Sequence, residues 1–209
     1  MPTGQVLPLG RVFCVGKGLR ERKKEETRWA VHEAAMRLAV EHGFDTLTVD
    51  AIAEAAGISR RTFSNYFTGK EEALLYKGER RTADLVRALR ARPTHESAWT
   101  ALRAAVRKAY HAPSLGTDRE WVQRTRLVRT HPSLLARQLA HQHALARDLT
   151  QALKGRRLPT GMTRPALLVA ATLSALRIAL EEWIDVDDDR SMLDAMEQAL
   201  DEVAVPFAT

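Results

Sequence analysis

The stretch "TVDAIAEAAGISRRTFSNYF", Thr48 to Phe67, limits what this chain can fold into more than any other part of it. Its first half is an amphipathic helix in outline: Val49, Ile52, Ala53 and Ala56 recur at helical spacing on one face. Thr48 stands where a helix cap belongs. Gly57 then supplies a sharp turn, and Ser59 can cap a second helix, expected over 60–67. A helix that short is unstable alone and must be held by its neighbours. The residues to hold it are present. Phe63 and Phe67, four apart, share one face, and with Ile58 they can pack down on the preceding helix. At about 100° per residue, Arg61, Thr62 and Asn65 lie opposite, with Tyr66 on the flank. Arg60 falls nearer the buried side, but as the first helical residue it can splay outward.

Two helices joined by a tight turn, the first bracing and the second presenting a narrow polar face, form a helix-turn-helix suited to the DNA major groove. The exposed chemistry fits. Arg can bond guanine O6 and N7 in bidentate fashion, Asn can do the same with adenine N6 and N7, and Thr can touch a thymine methyl. Thr48 and Lys70 begin helices beside this unit, where a hydroxyl or ammonium suits a phosphate. Lys70 opposes the dipole of its own helix, so helix stability does not explain it.

The rest of the chain reads as helix. Aromatic residues make up only 6%, and strand alternation is absent. A first helix is expected over 25–42, opened by Glu25 and Glu26, with Val31, Ala34, Ala35 and Leu38 on its inner face and Gly43 as its stop. "TGKE" reads as a capping box of Thr68 and Glu71 for a long helix over 70–90. Beyond Pro93, further helices are expected over 95–111, 118–131, 133–154, 164–185 and 190–205, separated by Pro, Gly and charge. The expected fold is all-α: an extension over 1–18, a DNA-binding unit over 19–69, and a connector helix leading into a helical bundle over 70–209.

Composition narrows the function. The chain has 209 residues, 45% of them hydrophobic, enough to bury a core. No apolar run is long enough for a membrane span, and the start lacks the compact apolar region of a signal peptide. Cys14 is the only cysteine, which excludes an intrachain disulfide and suits a reducing cytoplasm. The net charge of +6 is compatible with nucleic acid. Its distribution is polar: "GLRERKKEETR" is basic near the start, and "EEWIDVDDD" is acidic near the end. His141 and His143, two apart, fall on different helix faces, and neither a metal site nor a nucleophile motif is complete anywhere. No metal, cofactor or enzymatic activity is expected.

"GFDTLTVDAIAEAAGISRRTFSNYFTGKEEALL" closely resembles the DNA-binding domain of the tetracycline-repressor (TetR) family, with the match running from about Leu19 to Leu75. The resemblance implies phosphate contacts at Thr48, Tyr66 and Lys70, and base-facing or groove-lining positions at Arg60, Arg61, Thr62 and Asn65, with the cap Ser59 beside them. Ser64 departs from the family, which usually has a large side chain there. The family also implies a homodimer with a ligand-binding C-terminal domain. Arg20, Arg22, Lys23 and Lys24 can reach phosphates or the minor groove as an N-terminal arm, or form a solvated tail.

The C-terminal half, from "RTRLVRTHPSLLARQLAHQHALARDLTQAL" to "RPALLVAATLSALRIALEEW", looks like that of the mycofactocin-system regulators, a TetR subgroup proposed to bind acyl-CoA-like ligands. Effector cavities are largely apolar with a few polar anchors. Trp99, Tyr110, Trp121, Arg124, His131 and Trp183 are the candidate pocket residues. Arg126 and Arg129 are further anchor candidates on a basic helix that suits an acidic ligand or is simply a solvated face. Broad apolar faces on the last two helices imply a dimer interface of Leu168, Leu176, Leu180, Met192, Met196 and Leu200. The expected partners are double-stranded operator DNA, a second copy of the chain and a small-molecule effector, with no membrane. Two other classes remain open: a ligand-independent architectural DNA-binding protein, marked by a C-terminal domain without a cavity, and a helical-bundle enzyme or carrier, which requires a catalytic constellation.

Overall fold

The structure is a computed structural model describing residues 18–111, 118–185 (118–121 by backbone alone) and 191–204. Among the described residues the chain forms helices α1 (Leu19–His42), α2 (Val49–Ala55), α3 (Arg60–Ser64), α4 (Lys70–Arg90), α5 (Ala98–Tyr110), α6 (Asp118–Thr130), α7 (Pro132–Ala152), α8 (Pro165–Asp185) and α9 (Met192–Ala204), and no strand. The extension over 1–17 and the acidic linker over 186–190 lie outside the described residues, as does the Trp121 side chain.

Several helix ends differ from the expected ones, each for a local reason. α1 begins six residues earlier, because the run from Leu19 to Lys24 is made of good helix formers and continues the helix back to Gly18. Glu25 is therefore no end residue. Its carboxylate accepts a 2.8 Å bond from the Tyr76 hydroxyl and lies 3.5 Å from the Arg80 guanidinium, tying α1 to α4. α3 ends at Ser64, where the Asn65 N–H bonds the Arg61 and Thr62 carbonyls and the Tyr66 N–H bonds that of Phe63, so the last turn tightens. The expected box at Thr68 is displaced by one residue. Gly69 takes the cap position of α4, so Glu72 rather than Glu71 reaches back to the Thr68 N–H (2.8 Å) and hydroxyl (2.6 Å). Ser97 caps α5 through the Thr100 N–H, which starts that helix at Ala98.

Two cores result. The first gathers Val31, Ala34 and Ala35 of α1, Ile52 and Ala53 of α2, Phe63 and Phe67, and Leu74 and Leu75 of α4. The second gathers Leu85 and Leu89 of α4 with Leu102, Val106, Leu149, Leu168, Met196 and Leu200. α4 contributes to both and is the connector. The division is not complete: Val128 of α6 and Leu134 of α7 are buried in the first core. His32, an unremarkable residue in the sequence, is fully buried there, and its Nδ1 lies 2.9 Å from the Ala73 carbonyl across the α1–α4 junction.

Candidate nucleic-acid interface and C-terminal bundle

The recognition segment is built from the turn outward. Gly57 sits at φ +67°, a region that only glycine enters at no steric cost, and it reverses the chain between α2 and α3. Thr48 caps α2 by accepting the Ala51 N–H at 3.1 Å. Ser59 caps α3 by accepting the Thr62 N–H at 3.1 Å. Phe63 is 1% exposed, and its ring lies 5.6 Å from that of Phe67, which in turn meets Tyr76 of α4 edge to face. This underside anchors a helix with too few residues to stand alone. The opposite face is left to solvent: Ser59, Arg60, Arg61, Ser64 and Asn65 are exposed, and Thr62 and Tyr66 half-buried. The Arg60 guanidinium turns back to Asp50 of α2 at 2.6 Å. Both partners are well exposed, so this pair contributes little to stability and leaves Arg60 free to exchange for a phosphate.

Lys70 is placed differently from the outward phosphate contact expected of it. Its ammonium donates to the Phe44 carbonyl at 2.9 Å and lies 4.4 Å from the Phe44 ring, fastening the turn after α1 to the start of α4. That explains a lysine at a position where the helix dipole disfavours one.

In the C-terminal bundle the expected pocket residues do not converge. Trp99 packs on the second core beneath the Arg103 guanidinium. Trp183 lines an open groove of about 350 Å³ between α8 and α9 with Ile178, Ala199 and Val203. His131 belongs to the other end of the bundle: it stands just before α7 without a side-chain cap bond, and its ring meets Phe44 of the first core at 5.0 Å. Among the described side chains, only Tyr110 and Arg124 come together. Arg124 lies against Gly78 of α4, where a Cβ would stand 2.0 Å from its Nη1, so the glycine makes room for the guanidinium. The Tyr110 ring lies 5.0 Å from the guanidinium of Arg81, which is 3% exposed. Burial pushes the Tyr110 phenol up, against the pull of Arg81 and Arg124. Beside them a cleft of about 360 Å³ between α4 and α7 is lined by Thr82, Val86, Arg87, Arg90, His141 and Leu145. Burial holds the His141 imidazole below its ordinary value, and its Nε2 hydrogen-bonds Thr82 at 2.5 Å.

Comparison with known proteins places this architecture. The pattern for bacterial regulatory proteins of the tetR family matches residues 32–76, and that for the MftR C-terminal domain matches residues 96–208, more than half of the chain. The transcriptional regulator TcmR of Streptomyces glaucescens is 31% identical over 198 residues, covering 89% of this chain and 86% of its own. The chain belongs to the tetR family. SmeT of Stenotrophomonas maltophilia, the repressor of a multidrug efflux pump, shares the fold at a TM-score of 0.61, with 16% identity over 88% of this chain and 91% of its own. Thermus thermophilus FadR, in complex with lauroyl-CoA, shares it at 0.55, with 23% identity over 84% and 92%.

For this tetR-family regulator, sequence reasoning missed Arg81, Thr82 and Gly78 of α4. They carry no local signal, since their roles depend on Tyr110, Arg124 and His141 arriving from distant helices α5, α6 and α7. The six expected interface residues also need correction. Leu168, Leu176, Met192, Met196 and Leu200 are buried in the chain's own core, and Leu180 packs against it. A face already occupied within one chain is not available to a second. The apolar surface left on these helices includes Leu167 and Ile178. Among the described residues no helix is long and apolar enough to cross a membrane.

Proposed function

We propose that this regulator is a homodimeric repressor, acting on DNA in the cytoplasm and released from a pseudo-palindromic operator by a small-molecule effector. The observation that carries this reading is α4. Its first turns hold the recognition helix through Phe67 and Tyr76, and its last turns are buried in the second core. A change among the C-terminal helices can thus reach α3. Residues 19–69 read DNA, with Arg61, Thr62 and Asn65 toward the bases and Thr48, Ser59, Arg60 and Tyr66 at the groove walls and phosphates. Residues 70–209 sense the effector and dimerise, two copies setting their recognition helices about 34 Å apart. The exposed Leu167 and Ile178 and the α8–α9 groove supply the surface for a mate.

An acyl-CoA-like effector is supported by the match to the MftR C-terminal domain and by the lauroyl-CoA bound to T. thermophilus FadR. An effector shifts the balance only by binding the DNA-incompetent form more tightly. The test is fluorescence anisotropy on upstream intergenic DNA beside random DNA at two salt concentrations, repeated with a panel of acyl-CoAs. Sequence-preferring binding released by one acyl-CoA is the expected result. A selection of bound fragments across the whole genome that returns no preferred sequence overturns the repressor reading.

A further inference from the structure

α7 belongs to the C-terminal bundle, yet one stripe of it is spent on the DNA-binding unit. His131, Leu134, Arg137 and His141 recur at helical spacing and so share a face over about 15 Å. At one end, His141 reaches Thr82 in the α4–α7 cleft. At the other, Leu134 is fully buried in the first core and His131 meets the Phe44 ring, which the Lys70 ammonium also touches. Between them, the Arg137 guanidinium donates to Glu79 at 2.9 Å and stands 3.7 Å from Oε2 of Glu72. That same Oε2 accepts both the N–H and the hydroxyl of Thr68. Thr68 directly follows Phe67, one of the two aromatic anchors of the recognition segment. A single carboxylate oxygen is therefore shared between the effector domain and the exit of the DNA-reading unit.

We propose that Arg137 and Glu72 are positioning residues for DNA reading: Arg137 holds the Glu72 carboxylate, Glu72 fixes Thr68, and Thr68 sets the orientation of the recognition helix. The proposal rests on the DNA-reading role of α3 given above. A cap for α4 needs only the Glu72–Thr68 bonds; the guanidinium that arrives from α7 adds nothing to a cap and adds a mechanical link to Thr68, the end of the DNA-reading unit. Burial works to raise the Glu72 carboxyl, but the Thr68 bonds together with Arg137 and Arg28 outweigh it and hold the group below the usual glutamate range, so it is charged at neutral pH. A shift of α7 along its axis, begun at the His141–Thr82 contact, pulls on the recognition segment without any tilt of α4.

The test uses the full chain, an operator recovered by selecting bound fragments from a random DNA library, and amide hydrogen exchange. Arg137→Ala is expected to speed exchange at Thr68 and to weaken operator binding about tenfold, the scale of coupling between groups in contact. Binding to random DNA stays unchanged, and Arg137→Lys recovers part of the loss. Glu72→Gln keeps an acceptor for Thr68 but loses the charge, so adding Arg137→Ala to it produces no further loss. Arg147→Ala, on the exposed face of the same helix, alters neither readout. Unchanged exchange at Thr68 in Arg137→Ala, or losses that simply add in the double variant, overturn the proposal. A melting temperature recorded for each variant separates a lost link from a lost fold. If wild-type protein selects no DNA sequence, the repressor reading falls and the positioning role falls with it. If wild-type selects DNA and Arg137→Ala selects it equally well, only the positioning role falls.

Discussion

The two halves of α4 pack into units of different character. Around its start, short segments are held by devices that are local in the chain: a hydroxyl cap at Thr48, a glycine turn at Gly57, a second cap at Ser59, and aromatic residues four apart. Around its end, long helices are held by distant aliphatic side chains and by polar groups, the buried Arg81 under Tyr110 and the half-buried His141 on Thr82. The first unit presents a rigid surface of fixed shape, as reading a groove requires. The second buries the charged Arg81 and leaves an open cleft between α4 and α7.

The largest expected effect tests the rigidity of the first unit. Phe63→Ala should cost about 3–5 kcal/mol, because it empties a fully buried aromatic site under α3, and denaturant unfolding will measure it. A loss below about 1 kcal/mol would show that α3 is held by something other than its aromatic underside. Next comes Arg61→Ala, which should weaken operator binding by about 1–3 kcal/mol while leaving random DNA untouched. Equal losses on both would make Arg61 a phosphate contact. Ser59→Ala removes the α3 cap and should cost about 1 kcal/mol of stability, read from the denaturation midpoint.

The smallest effect belongs to the second unit. The folded His141 has a pKa below the ordinary 6.5. The unfolded chain therefore binds its proton more readily, and the stabilisation is full above about 6.5. It is lost as pH falls from there through the folded value. His141→Gln should flatten that part of the pH dependence of the melting temperature. An unchanged slope would place the acid sensitivity elsewhere, with the Glu72 carboxylate as the next group to replace at still lower pH, because its folded value is depressed in the same sense.

The first unit was readable because its determinants lie within a few residues of one another. Caps, turn and period all fall between Thr48 and Phe67, and the structure realises each of them. The reading erred where a nearby alternative competed, as when Gly69 took the cap from Thr68 and moved the partner from Glu71 to Glu72. In the second unit the helices were readable from period and punctuation, but the roles of their residues were not. Trp99, His131 and Trp183 look alike as polar-edged aromatics on helices, yet they face a core, the neighbouring unit and an open groove.

By itself the sequence determined the helices, the turn, the polar face of α3 and the family. Those depend on short-range geometry, which one stretch of chain carries whole. Only the tertiary structure decided that the apolar faces of α8 and α9 close the chain's own core, that Arg124 lies against Gly78, and that Arg137 meets the carboxylate that holds Thr68. Burial and ion pairing depend on which helix faces meet, and helical period alone leaves that choice open.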